Sequence, residues 1–519
     1  MIDKGDSLGK LGYNLEALAG LDQCMEALSV TMAGQDQRQA LIYRALAQSK
    51  KATCLVRLGR FAAAVECSDA ALPHLEESIP HAWALRGLAL HYLGRHGEAL
   101  VSAEKALLLD PLDADSWGTK GVILGATFQI AGALECFDRA RTLDPGSSKY
   151  WNDQGVLLAK ADRKEEALVC YDEAIAIDPA SPETWLNKGI CLNQLGRLQG
   201  AQECFQLAGE RGNADAQYNV GLFSAHGIAS TKEPQAALRW YTLAANNGHA
   251  DAQINLGNMF SKGEVVRQDY QEALRLYRLA AAQGSALAQH NLAEMYADGH
   301  GVAQDWQLAA YWYRLAAEQG STQDQVTLGT KYERGQGVQQ DHVKAVEWYL
   351  KAAAQNDSLA QFNLGRMYRS GYGVSKDDFQ ASKWYRLAAG QGLALAQYNL
   401  GVQCLEGRGI PQNFEEAIQW FLLAAKQGLW DAQYNLALMY KTGKGTTRNC
   451  SEAYKWFYIV ALNGDEEASQ KRDSLAAELT PSEIADAEAR AKESVNESDL
   501  VRKLAAREDK PTFSYRFIV

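Results

Sequence analysis

The 519-residue chain is poor in the patterns that build metal and redox centres. Its nine histidines are scattered with no HExxH pair, and its nine cysteines (24, 54, 67, 136, 170, 191, 204, 404 and 450) include no CxxC pair. Zinc and dithiol chemistry need such spacings. Cysteines such as Cys136 in ALECF and Cys204 in AQECF sit among core-type helix positions, which predicts buried, reduced thiols. Long apolar runs are lacking too. No segment approaches the ~18 consecutive apolar residues of a membrane span, and the opening MIDKGDSLGK has no apolar stretch. Positive charge is outnumbered, with 52 Lys and Arg against 63 Asp and Glu for a formal net charge of -11, and no long basic run offsets it. A phosphate backbone meets no attracting field here. These absences predict a cytoplasmic protein with no cofactor, no nucleic-acid partner and no membrane insertion. With 47% hydrophobic and 22% charged residues the chain is still able to bury a large core.

What the chain has in abundance is repetition. From Gln217 a glutamine recurs at 253, 289, 325, 361, 397 and 433, a fixed step of 36. The same step carries glycines from Gly227 to Gly443 and alanines from Ala237 to Ala453. A fixed period of this length marks a stacked array in which each unit is one supersecondary element. It also decides how to read RSGYGV, Arg369–Val374, which looks like a phosphate cradle opening a helix. Gly371 is one of seven equivalents, and a second glycine recurs at 301, 337, 373, 409 and 445, so the segment is a turn repeated by the architecture. Asp269, Asp305, Asp341, Asp377, Asn413 and Asn449 stand where they can cap the next helix, with Glu233 before Pro234 a weaker substitute in the first unit.

Within each unit the spacing predicts two helices. The first reads AQYNLG, as at Ala396–Gly401; the second reads AxxWYxxAA, as at Ala381, Trp384, Tyr385, Ala388 and Ala389. Small residues allow close helix approach, and the Trp and Tyr are expected to fill the remaining space, which makes Trp384 a candidate core residue. The pattern over residues 214–465 resembles the Sel1-like repeat family, in seven units. Upstream the period is 34: Trp83, Trp117, Trp151 and Trp185 recur, each followed by Gly87, Gly121, Gly155 or Gly189, with Pro111, Pro145 and Pro179 closing second helices. This resembles the tetratricopeptide repeat, whose period is 34. About six such units fit residues 1–213. The first two are degenerate, with Gln48 and Met1 at the tryptophan position, so the chain is expected to begin inside a repeat. After 465 a pair of capping helices is expected to residue 495, the second opened by TPSE at Thr480–Glu483 and running to about Ala491, followed by a tail at 496–519.

The predicted fold is therefore all-α, a right-handed α-solenoid of tetratricopeptide and Sel1-like hairpins continuous across residue 213, because Ala201, Phe205, Ala208 and Gly212 already stand in the 36-residue register. Asn356, in place of the closing glycine of the fourth 36-residue unit, marks a place where curvature is expected to change. The recurring glutamines and Asn219, Asn255, Asn291, Asn363, Asn399 and Asn435 are expected to bond within the array rather than to a ligand.

Both resemblances imply a scaffold or adaptor that binds a protein or peptide, in signalling or complex assembly, of the kind found in bacterial repeat proteins. The Lys/Asn clamp with which some tetratricopeptide proteins hold C-terminal carboxylates is absent, since those positions are Ala84 and Leu88, Gly118 and Val122, Asn152 and Val156, Leu186 and Ile190. Leu88, Val122, Val156 and Ile190 instead form an apolar stripe that either lines a groove or packs internally, and Asn152 is placed to bond a partner backbone. In the second array Phe362, Tyr398 and Tyr434 lie about 200° round the helix from the repeat alanine, at 100° per residue. With Arg366, Arg369 and Val402 they form either an exposed hot spot or a contact with the neighbouring hairpin.

Three short motifs, Ser102–Lys105, Lys441–Gly443 and Ser494–Asn496, match those of penicillin-recognising enzymes, an activity with which some Sel1-like proteins are associated, but their order along the chain is wrong. No nucleophile, acid/base pair or metal set converges, so a non-catalytic protein is expected. The alternative is a scaffold that self-associates through its aromatic C-terminal segment PTFSYRFIV, residues 511–519. Sedimentation at micromolar concentration separates these: the adaptor reading expects the same mass with and without residues 511–519, and a halved mass on their removal would favour self-association.

Overall fold

A computed structural model describes residues 14, 16–23, 25, 37–74 and 80–508, with the side chains of 37–40 and 496–508 set aside. Most of the first degenerate repeat, including Met1 and Gly5, and the segment PTFSYRFIV lie outside the described residues. Among the described residues every regular element is a helix, and successive helices pair as hairpins. They form an α-solenoid divided into two compact units, within Met1–Ala252 and Gln253–Tyr515. The division falls one repeat after the change of period.

In the first unit the hairpins include Pro80–Tyr92 with His96–Leu109, Ala114–Ala126 with Ile130–Leu143, Ser148–Lys160 with Lys164–Ile177, and Pro182–Gln194 with Leu198–Glu210. Tight turns such as Leu93–Arg95 join their helices. The next hairpin, Ala214–His226 with Pro234–Asn246, uses the longer turn 227–233, as do the 36-residue units of the second. The turn is four residues longer, and a second helix and a following loop each one residue shorter, as in Pro234–Asn246 against Ile130–Leu143, bring the difference in period to two. In the hairpin Pro80–Tyr92 with His96–Leu109 the glycine Gly87 meets the backbone at Ala99 and Ala103, and from Ala114 onward an aromatic ring of the second helix lies on a glycine of the first. A methyl group on Gly155 would sit 2.6 Å from Tyr171 Cε1, and one on Gly365 would sit 2.5 Å from Tyr385 Cδ1. The residues are sixteen apart in one array and twenty in the other. Two units of the second array place Ala293 and Ala437 opposite Tyr313 and Phe457 instead.

The caps follow the sequence. Asp377 accepts from the backbone N–H groups of Phe379 and Gln380, Asn413 from that of Glu416, and Glu233 makes no side-chain cap. Gly371 ends the helix Ser358–Ser370 with φ of +73°, a left-handed cap. RSGYGV is a turn. Its Gly373, at φ +69°, lies so close to the preceding hairpin that an added Cβ would be 2.1 Å from the His342 carbonyl oxygen. The helix opened by the Thr480–Glu483 capping box, in which the Thr480 N–H donates to Glu483 Oε2 at 2.8 Å, extends to Glu508, well past Ala491. Its alanines 487 and 491 are fully buried, which ties its first half to the array.

The repeat glutamines form a ladder. Gln397 donates to the Ala389 carbonyl of the preceding second helix and accepts from Gln427 at the end of its own hairpin, at 3.2 and 2.9 Å. Asn356 takes over the left-handed position of the missing glycine at φ 64°, and its side-chain oxygen intercepts the bond from Gln361. The tryptophans play more than one part: Trp348 and Trp456 are buried in the core as expected. Trp117 and Trp185 donate their indole N–H groups to the carbonyls of Pro111 and Pro179, tying each helix start to the loop before it. Trp384 is only half-buried, packed against a cluster with Tyr332 and Val374, whereas its neighbour Tyr385 is fully buried. The inter-helix filler is the tyrosine. Tyr385→Ala is expected to cost roughly 3 to 5 kcal/mol and Trp384→Ala less than half as much, as read by denaturant unfolding; the reverse order would show that the ring–glycine contact is misassigned.

Candidate functional site

Three successive first helices of the first unit, Pro80–Tyr92, Ala114–Ala126 and Ser148–Lys160, surround a cavity of about 350 Å³. The 34-residue period delivers Leu88, Val122 and Val156 to its wall at the same helix position, and Gly118, Gly125 and Ala126 keep side-chain bulk out of it. Each of the three stripe residues is half-buried. Ile190, the fourth, is half-buried against the cluster that holds Cys191 and Leu192. Asn152 is engaged within the array, accepting from Asn187 Nδ2 at 3.0 Å, so its oxygen already has a donor.

The polar groups of the cavity are His91, Thr119, Lys149, Asp153 and Lys160. Lys149 donates to Asp115 at 2.8 Å, and Asp115 also accepts from the Tyr150 hydroxyl at 3.1 Å. Asp153 is the one acid on the wall. Burial pushes its carboxyl up to about 6, opposed by the attraction of Lys149 and a hydrogen bond from Asn152. Burial holds His91 below its ordinary value, helped by His96 and Lys160. Tyr92, whose ring stacks on Phe61 at 4.5 Å, lines the cavity, and Phe128 follows two residues after the lining residue Ala126 in the chain. Phe128 is 87% exposed and adopts φ 59°, at the turn position that Gly94 and Gly196 fill in other repeats. A bulky residue in left-handed backbone with its ring in solvent costs stability without packing in return.

The strip expected on the second array resolves differently. Phe362 is buried, its ring 5.8 Å from that of Tyr385, and the half-buried Tyr398 and Tyr434 lie against Phe421 and Phe457 of their own hairpins. Val402 packs against the same core. Arg366 and Arg369 are exposed, but they bond Glu333 and Asn399 at 2.8 Å each. A first helix of the second array is covered on two sides, by its own second helix and by the second helix of the preceding hairpin, whereas the angular estimate took one buried arc.

Two features escaped the sequence reading. Asp153 stands where the neighbouring repeats have Leu85, Thr119 and Asn187, a departure visible in the sequence but without a stated consequence. Asp324 replaces the alanine found at 288 and 360, is 1% exposed, and pairs with His290 Nδ1 at 2.7 Å, while His290 Nε2 faces Glu294 at 3.2 Å. Although burial disfavours its charge, hydrogen bonds and attraction from both carboxylates raise His290 to about 10.

The remaining chemistry is plain. Ser102 is fully buried, its Oγ accepting from Arg86 and donating to the Glu98 carbonyl. Cys170, Cys204 and Cys404 are buried thiols pushed up to about 11 by that burial, and no cysteine among the described residues is disulfide-bonded. Among the described residues there is no cluster of metal-binding side chains, and no helix is long and apolar enough to cross a membrane.

These arrays define a helical repeat protein of the kind whose folds carry protein and peptide contacts. The chain is a tetratricopeptide-repeat protein with C-terminal Sel1 repeats. Sel1 repeats match seven segments from 214–249 to 430–465, and tetratricopeptide repeats match residues 49–116, 148–181 and 170–203. No curated protein matches the sequence. Among solved structures, c5321, a protective antigen present in uropathogenic Escherichia coli strains displaying an SLR fold, is 24% identical over 87% of this chain and 98% of its own, with a TM-score of 0.62. That likeness bears on fold alone. A Sel1 repeat protein from Oxalobacter formigenes is 29% identical over 61% of this chain and 91% of its own, at a TM-score of 0.48.

Two pH profiles follow. Asp153 binds its proton more tightly folded than unfolded, so its burden on stability is absent below about pH 4 and complete above about pH 6. Asp153→Asn is therefore expected to be the more stable protein at pH 7, by at most ~3 kcal/mol, with no advantage at pH 3.5. An unchanged difference across that range would contradict the burial of the carboxyl. His290 has the opposite sign, because its folded value is raised. Its contribution is full below about pH 6.5 and disappears as pH rises through about 10. His290→Ala should cost roughly 3 to 5 kcal/mol at neutral pH by stranding Asp324, and adding Asp324→Ala should recover most of that loss in urea titrations.

Proposed function

We propose that this chain is a non-catalytic adaptor that holds a partner protein or peptide in an assembly or signalling complex, and that the cavity of its first array is a principal contact. The observation that carries the reading is the convergence of Leu88, Val122 and Val156 on one cavity with a buried acid in its wall. Pockets of this size accept one or two side chains, and a few placed polar groups set orientation. Phe128 adds a second argument, since an exposed aromatic held in strained backbone suits an anchor that is buried only in a complex. Val122→Glu puts a charge into the cavity, and because Val122 also packs against the core of Leu124 and Phe137, circular dichroism of the variant first establishes that it is folded. In affinity capture from the native lysate, a partner retained by the parent is expected to be lost with Val122→Glu and weakened with Phe128→Gly. Phe128→Gly should itself change stability by no more than ~1 kcal/mol. Arg366→Ala and Arg369→Ala are expected to retain the partner. Capture unaffected by either change around the cavity would place recognition elsewhere.

A further inference from the structure

The cavity has a chemical preference that its apolar wall alone does not set. Asp153 stands among Leu88, Val122, Val156 and Leu157. The nearby cation, Lys149, is bonded to Asp115. Lys160 is exposed at the end of its helix, and burial disfavours the charged form of His91. The cavity also takes in His91, Tyr92, Gly125, Ala126 and Lys160, the last turns of three helices, whose carbonyl ends carry partial negative charge. Tyr92 adds an aromatic face that attracts a cation.

We infer that the cavity receives a basic side chain of a partner peptide, an arginine or a lysine, with its methylenes along Leu88, Val122 and Val156 and its charged head on the Asp153 carboxylate. The inference rests on the reading of this cavity as a partner contact and adds the chemistry of what enters it. Lys149 is shared between Asp115, to which it is bonded, and Asp153, and the ligand supplies the second positive charge for the two acids. Arginine suits the site better than lysine, because a planar guanidinium both stacks on a ring and bonds a carboxylate in two places.

The test uses the full chain labelled at leucine and valine methyl groups, titrated with N-acetyl-arginine methylamide, its neutral citrulline counterpart and the acidic glutamate counterpart. Leu88, Val122 and Val156 methyl resonances are expected to shift saturably with the arginine probe. The citrulline probe should bind at least about tenfold more weakly, and the glutamate probe should give no saturable shift. Asp153→Asn should remove the difference between arginine and citrulline while leaving the other methyl resonances in place, which also reports that the variant is folded. Equal binding of arginine and citrulline to the parent would overturn the cation preference and leave an apolar contact site standing. Cavity methyls that stay unmoved with every probe would overturn the inference, while the capture experiment with Val122→Glu judges the wider reading on its own.

Discussion

From Ala114 to Ala461 each hairpin depends on one contact, an aromatic ring of the second helix laid on a glycine, or in two units an alanine, of the first; in the hairpin before them Gly87 meets the backbone at Ala99 and Ala103 instead. The glycine removes the only atom that would hold the backbones apart, and the ring then excludes water along the seam. Because the contact is intramolecular to the hairpin, the turn between the helices is free to vary. Thr127–Gln129 closes one kind of hairpin and 227–233 the other, and the ring still meets its glycine, Phe137 on Gly121 and Tyr241 on Gly221. Tetratricopeptide and Sel1 repeats can therefore follow one another without a linker. Gln217, the first of the second family's glutamines, bonds the carbonyl of Gly209, in the last helix of the first family, at 2.9 Å.

With stability secured in the seams, the outer positions of the first helices are left to vary, and the two arrays use that freedom differently. In the second array they are spent on contacts between units: the Gln397–Gln427 ladder, the Arg366–Glu333 and Arg369–Asn399 bonds, and the buried His290–Asp324 pair. The first array leaves a gap between three helices and lines it with one acid whose nearest cation, Lys149, is bonded to Asp115. A carboxylate there costs stability at neutral pH, and proteins retain such costs where binding repays them.

Much of this was legible in the sequence because it is repeated. Seven glutamines at one step, six capping Asp or Asn residues and the Trp–Gly pairs specify helices, turns and caps, since any accidental pattern would have dissolved over so many units. Rotation of a helix about its axis was harder to read. Trp384 and Tyr385 are neighbours, and the sequence gives both the same period; only packing decides that the tyrosine meets Gly365. Phe362 was expected near the surface for the same reason. Departures from the consensus, Asp153, Phe128 and Asp324, were visible as letters, but their meaning depends on what the other repeats place around them.

Backbone amide hydrogen exchange on the full chain, with and without a captured partner, tests the central claim most directly. The account predicts protection concentrated at the ends of the helices Pro80–Tyr92, Ala114–Ala126 and Ser148–Lys160 and in the turn that contains Phe128. Protection confined to residues 253–508, with the cavity helices exchanging as they do in the free chain, would contradict it.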